Sequence, residues 1–278
     1  MRDRSQNSDL LLERLMESTG DCEIENQTKW IEVQNELKQR LIAADDFTWK
    51  LPKHESEAAA DGNDEKKEVL KYVGGVDVSY CKDDPSLACA ALVVLILPTL
   101  QVVHQEYSLV RLGVPYIPGF LAFREAPVLL QLLEKVKANS PHFYPQQLIF
   151  VDGNGILHPQ GFGLACHLGV LADCPTIGIG KNLHHVDGLT LNNVKQLLGA
   201  KPDLNLVTLT GSSGIIWGAA LRSSPRSMRP MFISTGHRIS LDTAITIVQM
   251  ICRYRIPEPI RQADIRSREY LQKHRHVC

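Results

Sequence analysis

The chain has 278 residues, 44% of them hydrophobic, and a formal net charge of −1, enough for one large domain or a domain with an appendage. No apolar run approaches the ~18 residues of a membrane helix. The polar start lacks the apolar core of a secretory signal, and seven irregularly spaced cysteines without a Cys-x-x-Cys argue against a disulfide framework or a zinc site.

The expectation is therefore a soluble protein with free thiols in a reducing compartment, placed by default in cytoplasm and nucleus (nucleolus included). Charge is unevenly divided: residues 1–70 hold 10 basic against 17 acidic residues, and the rest hold 20 against 14. The basic excess gathers at Arg222, Arg226, Arg229 and Arg238, then from Arg253 to Arg275, a distribution that suits a polyanionic partner or a solvated helix face.

Residues 1–68 read as an acidic leader dispensable to the core. It holds a candidate amphipathic helix at 30–44 and a low-complexity stretch from Glu55 to Glu68. A folded domain is expected over 69–273, with 274–278 a tail. Its first elements are three tightly joined strands, 72–80, 88–97 and 101–110, which must be antiparallel neighbours. A helix follows over 119–138, with Pro127 expected in its first turn or at a kink. The chain then alternates: strand 147–152, helix 161–172, strand 176–180, helix 190–198. A β pair at 206–210 and 213–222 leads to strand 231–235, a helix at 240–253 capped by Ser240, and a last helix running from Pro257 or Pro259 through Tyr270. The fold class is α/β, an RNase H-like mixed sheet with helices on both faces.

Two acids stand out. Asp77, in "YVGGVDVSY", shares a strand face with Val73, Gly75 and Ser79. An acid there is costly unless paired or bound to metal, or unless the strand lies at an edge. Asp152 ends the apolar run "LIFVD" before Gly153-Asn154-Gly155, which is equally an ordinary turn signal. Emerging at one edge of a sheet, the pair would suit Mg²⁺, or Mn²⁺ in its place. Glu125 can complete that cage or be a solvated first-turn Glu favoured by the helix dipole. Asp264, on the last helix, carries the same two readings. Tyr116, between Pro115 and Pro118, is poor as core filling and good as a wedge in a base stack.

"GGVDVSY", "PYIPGFLAFREAP", "VDGNGILHPQGFGLACHLG", "GIGKNL", "STGHRIS" and "RIPEPIRQADIRSREY" together resemble the endonuclease V family, in order over about residues 71–271. The resemblance implies a metal-dependent nuclease that cuts the second phosphodiester 3′ to a hypoxanthine-bearing nucleotide. Asp77, Asp152 and Glu125 would hold the metal, with Asp264, Lys181 and His237 also in the catalytic set. The wedge would be Pro115, Tyr116, Ile117 and Pro118. The base pocket would be lined by Gly119, Leu121, Gly153, Gly155 and His158, the glycines letting backbone amides approach a purine edge. The expected substrate is single-stranded inosine-containing RNA, cut by a monomer to leave a 5′-phosphate and a 3′-hydroxyl. The alternatives are a deoxyinosine DNA repair nuclease and a non-catalytic inosine-RNA reader. His184-His185 and Cys166/Cys174 lack ligand spacing, and His167 reads as a satisfied core histidine.

Overall fold

The computed structural model describes residues 23–52, 68–144, 147–200, 205–222 and 229–274. Most of the low-complexity stretch, residues 275–278 of the tail and Arg226 lie outside them. The elements in chain order are α1 (Glu23–Lys38), β1 (Trp49–Lys50), β2 (Glu68–Val69), β3 (Tyr72–Tyr80), β4 (Leu87–Ile96), β5 (Gln101–Arg111), α2 (Leu121–Asn139), β6 (Ile149–Asp152), α3 (Leu164–Ala172), β7 (Thr176–Gly180), α4 (Leu191–Ala200), β8 (Leu206–Thr210), β9 (Ile216–Leu221), β10 (Met231–His237), α5 (Leu241–Ile251) and α6 (Glu258–His274).

Eight strands form one mixed sheet in the order β5-β4-β3-β6-β7-β10-β9-β8. Only β3·β6 and β6·β7 are parallel; the other neighbours are antiparallel. The expected fold class is met. Alternation along the central strands sorts side chains between two cores. Val76 and Val151 face a layer made by α1, α2 and α3, whereas Val73 and Phe150 face α5 and α6. The expected cap of α5 is present: Ser240 Oγ accepts from the Thr243 N–H at 3.2 Å. Pro127 falls inside α2, past its first turn.

The leader departs from expectation. Its helix runs over Glu23–Lys38 rather than 30–44, and Trp30, Val33 and Leu37 are buried in the α2/α3 core, with Trp30 stacked on Phe123. Trp49 enters the opposite core beside a short parallel β1·β2 pair that was not anticipated. Its acidic composition concealed this, because three or four apolar side chains spaced along a polar segment suffice to dock it.

Candidate active site

The register of two parallel strands sets the site. Gly75 pairs with Phe150 and Val76 with Val151, so Asp77 and Asp152 fall at the next level, on the face covered by α6. That helix comes very close: a Cβ on Gly75 would stand 2.2 Å from the Pro259 carbonyl oxygen. Only glycine lets the helix lie so flat, and this brings Asp264 and Ser267 over Asp77. Ser267 Oγ reaches Asp77 Oδ2 at 3.2 Å and Ser79 Oγ at 2.7 Å.

Asp77, Asp152 and Asp264 line one cleft of about 580 Å³, together with Lys181, Tyr80, Lys82 and Arg268. Lys181, the first residue after β7, donates to Asp152 Oδ2, and Arg268 pairs with Asp264 at 2.5 Å. Glu125 sits behind this group. It approaches from α2, on the other face, and accepts a 2.5 Å hydrogen bond from the Tyr80 hydroxyl. Arg124, beside it, packs over the Tyr80 ring at 4.9 Å and donates to the carbonyls of Pro85 and Val114, joining the 112–118 loop to the cleft wall.

Electrostatics are strained in a particular direction. Burial, then the neighbouring Asp152, raises the Asp77 carboxyl well above its ordinary range. Burial likewise pushes Glu125 up to about 8, against the opposing Tyr80 hydrogen bond. Burial disfavours the Lys181 ammonium, yet Asp152, Asp77 and Asp264 outweigh it and hold its pKa high. Among the described residues no three Asp, Glu, His or Cys side chains stand ready to close on an ion; Asp152 is engaged by Lys181, Asp264 by Arg268 and Glu125 by Tyr80. The donor set nonetheless fits a hard divalent cation. Three carboxylates share a cleft where their mutual repulsion already favours any added positive charge.

Tyr116 is 61% exposed, between exposed Pro115 and Pro118, while Ile117 packs inward on the α2 core. Gly119 (φ +86°) lies where a Cβ would meet the Gln160 amide at 3.4 Å, so the 112–119 loop abuts the 153–163 loop. Leu121, at the start of α2, is half-buried. His158 is buried, accepts from the Gln160 N–H at 3.3 Å, and is held down to about 4 by burial.

Three expectations are corrected. His237 stands at the opposite edge of the sheet. In the antiparallel β7·β10 register it pairs with Thr176, whereas Phe232 pairs with Gly180 beside Lys181, a separation of about 13 Å along the strand. Its Nδ1 accepts from the Ile42 N–H at 3.3 Å, so it anchors the leader. The Gly153 and Gly155 amides are also committed, to Ile179 O at 3.1 Å and Ser234 Oγ at 2.8 Å. A Cβ on Gly155 would stand 1.9 Å from Thr235 O, so this glycine serves strand packing rather than base reading. His167 is fully buried as expected but not satisfied: neither ring nitrogen has a hydrogen-bond partner among the described residues, and it sits edge-on to Phe123. Sequence reasoning missed Tyr80, Ser267 and Arg268. The last two lie three and four residues beyond Asp264 on α6, a helical spacing that could have found them.

Comparison with known proteins shows the family. The Endonuclease V family model matches residues 54–265. The chain is 45% identical to human Endonuclease V over 262 residues, 93% of this chain and 88% of that protein. It is 46% identical to the mouse Endonuclease V over 90% of this chain and 70% of that one. The crystal structure of the human catalytic domain superposes with a TM-score of 0.80 at 43% identity, over 93% of this chain and all of that one. A Ciona intestinalis Endonuclease V, solved with a DNA containing an inosine followed by a ribo-adenosine, gives 0.78 at 35% identity over 90% and 98%.

Proposed function

The chain belongs to the endonuclease V family, and from that premise we propose that it is a divalent-metal-dependent endoribonuclease. Its substrate is single-stranded RNA containing inosine, cut at the second phosphodiester 3′ to that base. The observation that carries this reading is the convergence of Asp77, Asp152 and Asp264 with Lys181 in one cleft.

Asp77 and Asp152, with Glu125 or Asp264 as a third acid, would hold the ion. Mg²⁺, or Mn²⁺ in its place, would supply polarisation of the scissile phosphate and a bound water acidified toward neutrality. Ser267 and Ser79 fix the Asp77 carboxylate, and Tyr80 fixes Glu125. Lys181 is placed to turn from Asp152 toward the phosphate and offset the charge that grows on its oxygens. Water oxygen bonds to phosphorus as the bond to the 3′ oxygen breaks. The attacking water gives up one proton and the leaving oxygen takes one up, giving a 3′-hydroxyl and a 5′-phosphate with no net change.

Tyr116 is the wedge. Exposed and held between two prolines, it can fill the gap left by an extruded base. Unpaired strands suit such a device because their bases are already free to splay. The ribo-adenosine following inosine in the complex of the Ciona relative supports a ribose preference. The runner-up, a nuclease for deoxyinosine DNA, predicts indifference to that sugar. The deciding experiment compares single-inosine oligonucleotides with ribose or deoxyribose at the scissile bond. Faster cutting of the ribose strand, with 5′-phosphate products, is expected; equal rates would overturn the RNA assignment.

A further inference from the structure

The cleft does not end at its carboxylates. Asp264, Arg268 and Gln272 line it from one flank of α6, and helical spacing puts Arg261 on that same flank, three residues before Asp264. Arg261 carries the flank toward the α5–α6 turn, where its guanidinium lies over the Tyr254 ring, 4.5 Å from the centroid. Tyr254 is 56% exposed and packs into none of the hydrophobic core clusters of the described residues. Its backbone is held: the Tyr254 carbonyl accepts from Cys252 Sγ at 2.9 Å, and Arg253 and Arg255 reach the carbonyls of Thr99 and Arg229, each at 3.4 Å. Arg261 is itself fixed by a two-pronged pair with Glu258, at 2.6 and 2.7 Å.

We propose that Tyr254, backed by Arg261, is a stacking platform for an unpaired nucleobase of the substrate strand, on the stretch that leaves the cleft along α6. The inference rests on the nuclease reading above and adds a second aromatic contact to it, separate from Tyr116. Three observations combine. An exposed ring stiffened by a guanidinium on one face offers a nucleobase its other face at little ordering cost. The flanking Arg253 and Arg255 give the turn the positive charge a phosphate backbone needs. Continuity comes from α6: Asp264 and Arg261 are one turn apart, about 4.5 Å along the axis, so a strand seated on Asp264 passes the platform within a very few nucleotides. Stacking of this kind is indifferent to base identity, because every base has a π-face. The platform therefore contributes affinity and register, while inosine is selected elsewhere.

The test uses the full chain and three single-inosine RNA strands: a short core, the core extended only 5′, and the core extended only 3′. Because the platform lies to one side of the cleft, one extension alone should tighten binding and lower KM. Tyr254→Ala should erase that gain, about tenfold, while leaving the short core cut at the wild-type rate; Tyr254→Trp should restore it. Binding of the same strands with guanosine in place of inosine, read by fluorescence anisotropy, separates the two claims. If no strand is cut, the nuclease reading fails, and the anisotropy of Tyr254→Ala against wild type still decides the platform. Equal affinities of the two proteins for both extended strands would overturn it. So would an equal loss on all three strands, which marks a merely structural role.

Discussion

Asp77 and Asp152 stand level with one another on adjacent parallel strands, one step beyond the Val76–Val151 pair, and the Asp152 carboxylate raises the cost of charging Asp77. Burial is the larger part of that cost, and the positive charge of Lys181, paired with Asp152, offsets some of it.

Replacing either acid with its amide should separate stability from activity. Asp77→Asn removes a buried, crowded carboxylate and should raise the melting temperature of the metal-free protein at neutral pH. The same substitution, like Asp152→Asn, should slow cleavage by about a hundredfold or more, the scale of losing one preorganised electrostatic group. Melting curves and single-turnover rates on the same samples check both halves.

The pH dependence of the metal-free protein follows from Glu125. Its folded pKa of about 8 lies above the ordinary 4.5, so between those values the folded state binds more protons than the unfolded one, and stability falls as pH rises. Asp77 acts in the same direction. Above about pH 7, where the buried histidines are neutral folded and unfolded alike, melting temperatures measured in chelator up to pH 8 should therefore decline for the wild type and decline less for Glu125→Gln.

His237 supplies the control. Buried to 2% and held down to about 4, it is neutral in the fold and takes up a proton on unfolding below about 6.5, so its share of stability is lost as pH falls from 6.5 toward 4. His237→Ala leaves the Ile42 N–H unpaired and should destabilise by about 1–3 kcal/mol. At a temperature where the variant is folded, kcat should stay within about twofold of wild type, since His237 stands at the end of β7 opposite Lys181 and the cleft.

Tyr116 is the opposite case. As the side chain is 61% exposed, Tyr116→Ala should leave the melting temperature unchanged while weakening binding of inosine-containing strands about tenfold. Anisotropy with a catalytically silenced background, Asp152→Asn, reads this without turnover.

The legible part of the fold was its strand grammar. Tyr72–Tyr80, with an acid amid Gly and Val, announced a central strand, and the β-α alternation after Leu148 set its neighbours. The motif resemblance then carried Asp77, Asp152, Lys181 and Asp264 to one cleft, where the structure places them. His237 escaped because a motif gives order along the chain but not strand direction, and β10 runs antiparallel to β7. Gly155 was misread because glycine reports close approach without naming the neighbour, here the Thr235 carbonyl. The leader helix was expected at 30–44, but its true bounds and its docking into the core escaped because Trp30, Val33 and Leu37 are diluted by acids and amides.

The central claim is that acids distant in sequence form one seat for a divalent ion. Calorimetric titration of Mn²⁺ into the protein bound to an uncleavable inosine-containing strand tests it most directly. Uptake by the wild type that is lost in both Asp77→Asn and Asp152→Asn is the predicted result. Undiminished uptake by both variants would contradict it.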